Sequence, residues 1–138
     1  MKKVLILLIC LIGYQISCHA QMADEHYYFK NLSVQNGLSQ NTVNAILQDR
    51  QGFMWFGTKD GLNRYDGLSF RKFKHDDRTR RSIGNNFITA LYEDTKGDIW
   101  VGTDVGLYIY DPEKDSFRHF TELSEENTKI EHTVTAIS

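Results

Sequence analysis

The stretch GFMWFGTKDGLNRYDG at residues 52–67 returns as GDIWVGTDVGLYIYDP at residues 97–112, 45 positions later (97 − 52 = 45). Eight of the sixteen aligned positions are identical, and in the first copy these are Gly52, Trp55, Gly57, Thr58, Gly61, Leu62, Tyr65 and Asp66. A repeat with a fixed period sets the architecture of the whole chain, so it has to be interpreted before any local motif.

The repeat extends beyond this stretch on both sides. Upstream, NTVNAILQD at 41–49 aligns with NFITALYED at 86–94, and TVTAIS at 133–138 begins a third copy. Downstream, SFRKF at 69–73 aligns with SFRHF at 116–120 after an insertion of two residues. A period of about 45 residues is typical of four-stranded propeller blades or of arrays of helical pairs.

The residue types of each copy favour strands. Short runs of β-branched and aromatic residues alternate with Gly, Asp and Asn, which is the pattern of strands joined by tight turns. The sequence therefore predicts strands at residues 43–48, 53–58, 62–66 and 69–74, and again at 88–93, 98–103, 107–111 and 116–121. We expect an all-β fold, a partial β-propeller of two four-stranded blades plus the first strand of a third blade.

The repeated glycines and tryptophans have structural explanations in a blade. Gly52 and Gly97 follow Asp-x-x in predicted hairpin turns, where Gly adopts positive φ without steric cost. Glycine in a strand permits close approach of a neighbouring backbone, and each Trp can fill the space between adjacent blades. The predicted structural residues are Trp55, Gly57, Gly61, Tyr65, Trp100, Gly102, Gly106 and Tyr110.

The phase of the repeat predicts the organisation of the chain. The segment before the first copy has the spacing of a fourth strand, which in a closed propeller would complete the last blade and remove an exposed sheet edge. Closing a propeller takes about 4–8 blades, so we expect this sequence to be a truncated fragment of a longer protein. The predicted segments are this N-terminal strand at 21–37, blade 1 at 38–76, a linker and blade 2 at 77–122, and a linker and the start of blade 3 at 123–138.

Residues 1–20 have the layout of a secretory signal peptide. Lys2 and Lys3 precede an apolar run at 4–12, and Ala20 ends a small-residue site that predicts cleavage and export. An uncleaved anchor and lipidation at Cys18 are the alternatives. Because both cysteines of the chain lie in this segment, the mature protein is expected to contain no disulfide.

The charge balance does not indicate a polyanionic partner such as nucleic acid. The chain carries 16 basic and 18 acidic residues, and removal of residues 1–20 takes away two lysines, which leaves 14 − 18 = −4. We therefore expect no nucleic-acid contact, and no membrane span after signal cleavage.

The local motifs do not predict a cofactor, a metal or a catalytic centre. The spacing Gly52-x-x-x-x-Gly57-Thr58 resembles a phosphate loop, but a strand fills it where a phosphate cradle needs a loop that opens a helix. The sequence around 94–98 lacks the alternating oxygen ligands of a calcium loop. The five histidines show no ligand spacing, and no nucleophile with a base recurs.

One polar segment is a candidate binding surface. The linker at 74–82 is rich in charged residues and joins the fourth strand of one blade to the first strand of the next. In a propeller this linker lies on the same face as the turns after the second strands, although a solvated basic loop is the simpler explanation of the composition. The candidate ligand-binding residues are Lys59, Asp60, Arg78, Arg80, Arg81 and Asp104.

The double repeat resembles a known family. The pattern Ile/Val-x-Ala-Ile/Leu-x-x-Asp-x-x-Gly-x-x-Trp-x-Gly-Thr-x-x-Gly-Leu-x-x-Tyr-Asp is similar to two-component regulator propeller repeats. Phe29-x-x-Leu32 and the run NGLSQN at 36–41 resemble the start of the periplasmic sensor region of bacterial hybrid two-component histidine kinases.

This resemblance implies a function for a longer protein. In the family, an exported propeller sensor precedes a membrane span, a histidine kinase and a receiver, and many members respond to glycan breakdown products. It implies an oligosaccharide or other periplasmic ligand, a homodimer of the parent protein, and kinase activity outside these residues. The chain itself is expected to be non-catalytic. A propeller enzyme of the antibiotic-lyase type and a structural or protein-binding propeller are the alternatives.

Overall fold

The computed structural model describes residues 28–120 and 134–137. The chain divides into two compact units between Lys30 and Asn31, and each is described separately. In the first unit the described residues 28–30 are exposed and have no regular secondary structure. The predicted signal peptide at 1–20 lies outside the described residues.

The second unit contains two four-stranded antiparallel sheets, each with its strands in sequential order. The first sheet, blade 1, consists of β1 (Val43–Gln48), β2 (Met54–Thr58), β3 (Gly61–Tyr65) and β4 (Phe70–Phe73). The second sheet, blade 2, consists of β5 (Ile88–Glu93), β6 (Ile99–Thr103), β7 (Gly106–Asp111) and β8 (Ser116–His119). A 3-10 turn at Val34–Asn36 is the remaining regular element of the described part. The predicted all-β fold is confirmed.

The two blades repeat one another in register. Ala45 faces Gly57 across β1 and β2, and Ala90 faces Gly102 across β5 and β6. Both strand pairs have an irregularity one residue before this alanine, where a β-bulge increases the local twist of the first strand. The sequence repeat therefore encodes one supersecondary unit, down to its local distortions.

Hydrogen bonds explain why Asp and Trp have the same spacing in both copies. In blade 1 the Asp49 carboxylate accepts the backbone N–H groups of Gln51 and Phe53 at 3.0 and 2.9 Å, and the indole N–H of Trp55 at 2.7 Å. Gly52 completes the turn at φ +91°. The carboxylate thus closes the hairpin and fixes the orientation of the indole ring.

Blade 2 repeats this arrangement. The Asp94 carboxylate accepts two backbone N–H groups of its turn and the indole N–H of Trp100 at 3.0 Å. The hydrogen bond from Trp100 is the main cause that lowers the pKa of Asp94. Gly97 takes φ +92°, the same left-handed conformation as in blade 1.

An aromatic core joins the two blades. Trp55 of β2 is 1% exposed and contacts Tyr110 of β7 edge-on at 5.0 Å between ring centroids. Phe73 stacks on Trp55 at 5.9 Å and meets Phe117 of β8 at 5.4 Å. Blades that pack through such large buried side chains are held mainly by the hydrophobic effect.

Trp100 differs from Trp55 in its surroundings. It is half-buried and contacts Phe120 of its own blade at 5.6 Å between ring centroids. Its expected place between two adjacent blades stays a prediction, because the chain between residues 121 and 133 is not described.

The inner strands meet through a second repeated contact. A Cβ added at Gly57 would lie 2.5 Å from Cγ2 of Ile88, and one added at Gly102 would lie 3.0 Å from Cγ1 of Val134. The side chain of Asn44 donates to the carbonyl oxygen of Ile88 at 2.8 Å. At the equivalent positions Thr89 donates to the carbonyl oxygen of Val134. Residues 134–137 thus lie against blade 2 as the start of β5 lies against blade 1.

The domain boundaries expected from the sequence stay a prediction, and so does the closing strand. All eight strands pair with one another within the two blades. Among the described residues of the 21–37 segment, 28–33 form no strand and 34–36 form the 3-10 turn.

Candidate functional site

The turns after β2 and β6 carry three of the predicted site residues. The Lys59 ammonium lies 5.9 Å from the ring centroid of Phe87, and the backbone N–H of Asp104 donates to the carbonyl oxygen of Phe87 at 3.3 Å. Asp60 forms an ion pair with Lys74 at 2.7 Å. The structure therefore brings Lys59, Asp60 and Asp104 to one end of the blades, near the residues that immediately precede β5.

Arg78 forms an ion pair with another residue of the linker. Its guanidinium donates two hydrogen bonds to the Asp76 carboxylate, at 2.9 and 2.8 Å. These bonds are the main cause that lowers the pKa of Asp76 to about 2. Arg78 thus braces the linker, because one edge of its guanidinium, Nε and one Nη, is directed at Asp76.

Arg80 and Arg81 lie elsewhere, along the outer edge of blade 2. The backbone N–H of Phe117 in β8 donates to the carbonyl oxygen of Arg81 at 2.8 Å, which attaches this part of the linker to the outermost strand. Both side chains are exposed, and neither makes a side-chain hydrogen bond or ion pair within the described part of the chain. The predicted residues are therefore divided between two places.

Two adjoining concavities run along this outer edge, with cavity volumes of about 310 and 360 Å³. They share Arg81, Lys114, Ser116 and Phe117, and we call them together the outer groove. The volume of each is in the range of sites for small molecules. The further lining residues are Lys72, Phe73, Lys74, Asp76, Thr79, Arg80, Ser82, Asp111, Asp115 and Arg118.

The outer groove is predominantly cationic. Six basic and three acidic residues line it, a difference of 6 − 3 = +3. Asp111 accepts a hydrogen bond from the ammonium of Lys114 at 3.0 Å, the main cause that lowers the pKa of Asp111, so this carboxylate is ionised. Nε of Arg118 is buried 4.0 Å from Asp111, and none of the described residues forms a hydrogen bond with it.

A third concavity of about 320 Å³ lies beside the outer groove, on the other side of the linker. His75 contacts the carbonyl oxygen of Ile83 through Nδ1 at 2.9 Å and Asp77 through Nε2 at 2.7 Å, and these two bonds raise the pKa of His75. The ring of Tyr108 meets His119 edge-on at 4.9 Å, and burial raises the pKa of Tyr108.

Sequence reasoning did not find Lys72, Lys114 and Arg118 as site residues. Lys114 belongs to the region where the second copy is two residues longer than the first, between Asp111 and Ser116. A departure from an otherwise regular repeat is a signal that could have drawn attention to it, because additions to a repeat map to surface loops.

At the opposite end of the blades, Arg64 joins the two sheets. Its guanidinium lies 4.7 Å from the ring centroid of Phe53 and donates to the hydroxyl of Tyr110 at 3.1 Å. That hydroxyl in turn donates to Asp115 at 2.8 Å, and Asp115 also pairs with Arg71. We interpret this network as an inter-blade brace rather than as a binding site.

The described residues, 28–120 and 134–137, contain neither a candidate metal site nor a candidate membrane span. No group of three or more His, Cys, Asp or Glu side chains is arranged to hold a metal ion there. The same part of the chain has no helix with the length and apolar character needed to cross a membrane.

Comparison with known proteins links the repeat to signalling proteins. The two-component regulator propeller family matches residues 37–60 and 82–105, which include the Asp–Trp hairpins of both copies. A histidine kinase, P4, of Formosa agariphila is 40% identical over 68 residues, which is 49% of this chain and 5% of that protein.

Solved structures show the same relationship. The extracellular domain of the putative hybrid two-component system BT3049 from B. thetaiotaomicron matches 68% of this chain with a TM-score of 0.61 and 37% identity. That of the putative one-component system BT4673 from the same organism matches 68% with a TM-score of 0.57 and 25% identity. The chain spans only 13% and 14% of the lengths of these two domains. The two stretches that match the two-component regulator propeller family thus lie in blades 1 and 2, and these blades resemble the extracellular domains of such systems in sequence and fold.

Proposed function

We propose that this chain is part of the periplasmic, ligand-sensing propeller of a hybrid two-component system and that its ligand is an oligosaccharide. One observation carries the proposal: over 68% of its length the chain is 37% identical to the extracellular domain of a putative hybrid two-component system, with the same fold. Identity of this degree together with a shared fold supports a shared role better than fold alone does.

The export signal predicted at residues 1–20 supports a location outside the cytoplasm. The polar grooves along the outer edge support a small, hydrophilic ligand, because they combine charged groups with Thr and Ser hydroxyls over buried aromatic rings. In this proposal the blades bind the ligand and transmit the signal. Phosphoryl transfer is carried out by a kinase elsewhere in the parent protein, and the parent protein acts as a homodimer.

Transcript levels in the source bacterium test the sensing role. Cells with an in-frame deletion of residues 38–120 are compared with the unaltered strain during growth on single purified polysaccharides. The proposal expects at least one polysaccharide to induce a set of genes in the unaltered strain and not in the deletion strain. Identical responses of both strains to every polysaccharide would contradict the sensing role.

Matched variants separate signalling from loss of the protein. Lys96→Gln changes an exposed residue in the turn between β5 and β6 and should leave both protein level and response unchanged. An immunoblot of the envelope fraction shows whether each altered protein is made and exported. A protein that remains entirely in the cytoplasm would contradict the periplasmic location.

A further inference from the structure

The outer groove holds positive charges that no described residue, in 28–120 or 134–137, neutralises. Lys72, Arg80 and Arg81 are exposed, and their side chains make no hydrogen bond or ion pair among the described residues. The other basic residues of the groove have carboxylate partners: Lys74 pairs with Asp60, and Lys114 pairs with Asp111. Cations collected in a concavity raise the local concentration of anions there.

The linker presents its two arginines in a fixed position. The backbone N–H of Thr79 donates to the carbonyl oxygen of Asp76 at 3.1 Å, and the hydroxyl of Ser82 donates to the same oxygen at 3.1 Å. The hydrogen bond from Phe117 to the carbonyl oxygen of Arg81 then ties the linker to β8. A backbone that is already ordered loses less conformational entropy when a ligand binds.

Buried side chains form the floor of the groove, and the exposed arginines above it supply groups that can bind an anion. Phe73 and Phe117 lie beneath it at 8% and 3% exposure, and Ser116 is buried beside them. Arg80 and Arg81 can each present a planar fork of N–H donors that matches a carboxylate or a sulfate. Asp111 and Asp76 at the rim are engaged by Lys114 and Arg78, so these carboxylates are partly compensated rather than free to repel an anion.

We propose that the outer groove binds an oligosaccharide that carries carboxylate or sulfate groups, and that Arg80 and Arg81 hold the anionic group. This inference rests on the proposed sensing function and specifies the chemical class of its ligand. It also replaces the single six-residue surface predicted from the sequence by a groove at the outer edge, from which Lys59, Asp60 and Asp104 are absent.

Binding by a charge-matched set of variants tests the groove. The protein, as the source bacterium makes it, is purified through a C-terminal tag and titrated by microscale thermophoresis with neutral, uronate-containing and sulfated oligosaccharides of equal length. Arg80→Gln/Arg81→Gln removes two exposed charges and keeps the backbone carbonyl that bonds to β8. Lys59→Gln/Lys96→Gln removes the same charge from two turns outside the groove.

The proposal expects uronate-containing or sulfated oligosaccharides to bind at least about tenfold more tightly than neutral ones. Arg80→Gln/Arg81→Gln should weaken that binding about tenfold or more, while Lys59→Gln/Lys96→Gln should keep it. The uronate and sulfate arms identify which anionic group the groove prefers, and tight binding of either one supports the proposal. Circular dichroism of each variant confirms that its fold is intact.

Three results would overturn the proposal: equal affinity for neutral and acidic oligosaccharides, unaltered binding by the double arginine variant, or an equal loss in the double lysine variant. The transcript assay keeps this inference separate from the proposed function. If oligosaccharides still induce transcription normally in the arginine variant, the proposal for the groove is contradicted but the sensing role is not. Tight binding of acidic oligosaccharides without any transcript response contradicts the sensing role and leaves the groove in place.

Discussion

Gly57 is the position at which the packing of the two blades can be tested most sharply. A methyl group added there would lie 2.5 Å from Cγ2 of Ile88, about 1 Å inside the normal carbon–carbon contact distance. Ile88 is fully buried, so its side chain has no free space into which to move. We expect Gly57→Ala to lower the free energy of unfolding by about 1–3 kcal/mol, the usual cost of overpacking a core.

A double-mutant cycle shows whether the loss comes from this contact. Ile88→Ala alone creates a cavity and should cost about 2–5 kcal/mol. It also removes Cγ2, so the two substitutions together should cost at least about 1 kcal/mol less than the sum of their separate effects. The free energies are measured by urea titration with pulse proteolysis, on the protein as the source bacterium makes it.

Gly52→Ala provides the matched control. Gly52 has no atom within 4 Å of an added Cβ, and its φ of +91° makes the substitution costly through backbone strain alone. Its effect should therefore add to that of Ile88→Ala within about 0.5 kcal/mol. If Gly57→Ala is also additive with Ile88→Ala, or costs nothing, the proposed contact between the inner strands is refuted.

Three further predictions concern single polar groups. Asp49→Ala should lower the free energy of unfolding by about 1–3 kcal/mol, because the buried indole N–H of Trp55 and two backbone donors lose their acceptor; urea titration measures it. The Asp76 carboxyl should titrate near pH 2 by NMR. Its contribution to stability is therefore present above the unfolded-state pKa of about 3.8 and is lost as the pH falls through about 2. Arg78→Gln should raise the pKa of Asp76. The His75 imidazole should titrate above its ordinary pKa by NMR, so its contribution is complete below about pH 6.5 and is lost as the pH rises through the folded-state pKa.

Each of these has an outcome that would contradict it. An Asp49→Ala variant with unaltered stability would mean that water replaces the carboxylate in the hairpin. A normal titration of Asp76 in the native protein would show that the bidentate pair with Arg78 does not persist in solution. A His75 signal that titrates below its ordinary pKa would contradict the two hydrogen bonds found at its ring nitrogens.

The strands could be predicted from the sequence because the repeat supplies the same information twice. The prediction for 53–58 differs from β2 (Met54–Thr58) by one residue, and that for 88–93 coincides with β5 (Ile88–Glu93). Turn glycines and alternating side chains are local features, which short stretches of sequence determine. Two aligned copies restrict them further than one copy does.

The candidate site could be predicted only in part, since it depends on contacts between distant residues. The charged composition of the linker pointed to Arg80 and Arg81, but the hydrogen bond from Phe117 that positions them spans 36 residues (117 − 81 = 36). The pairing of Arg78 with Asp76 depends on side-chain directions within a loop that composition does not determine. For the same reason, the sequence indicates that Asp49 lies in a turn but does not show that it accepts a hydrogen bond from Trp55.

The most direct test of the sensing role is a binding measurement with the oligosaccharide that induces transcription. Isothermal titration calorimetry is performed with the protein as the source bacterium makes it, at two salt concentrations. The account predicts saturable binding that weakens as the salt concentration rises, because exposed arginines hold the anionic group of the ligand. An inducing oligosaccharide that produces no heat of binding, while the protein remains folded, would contradict the account.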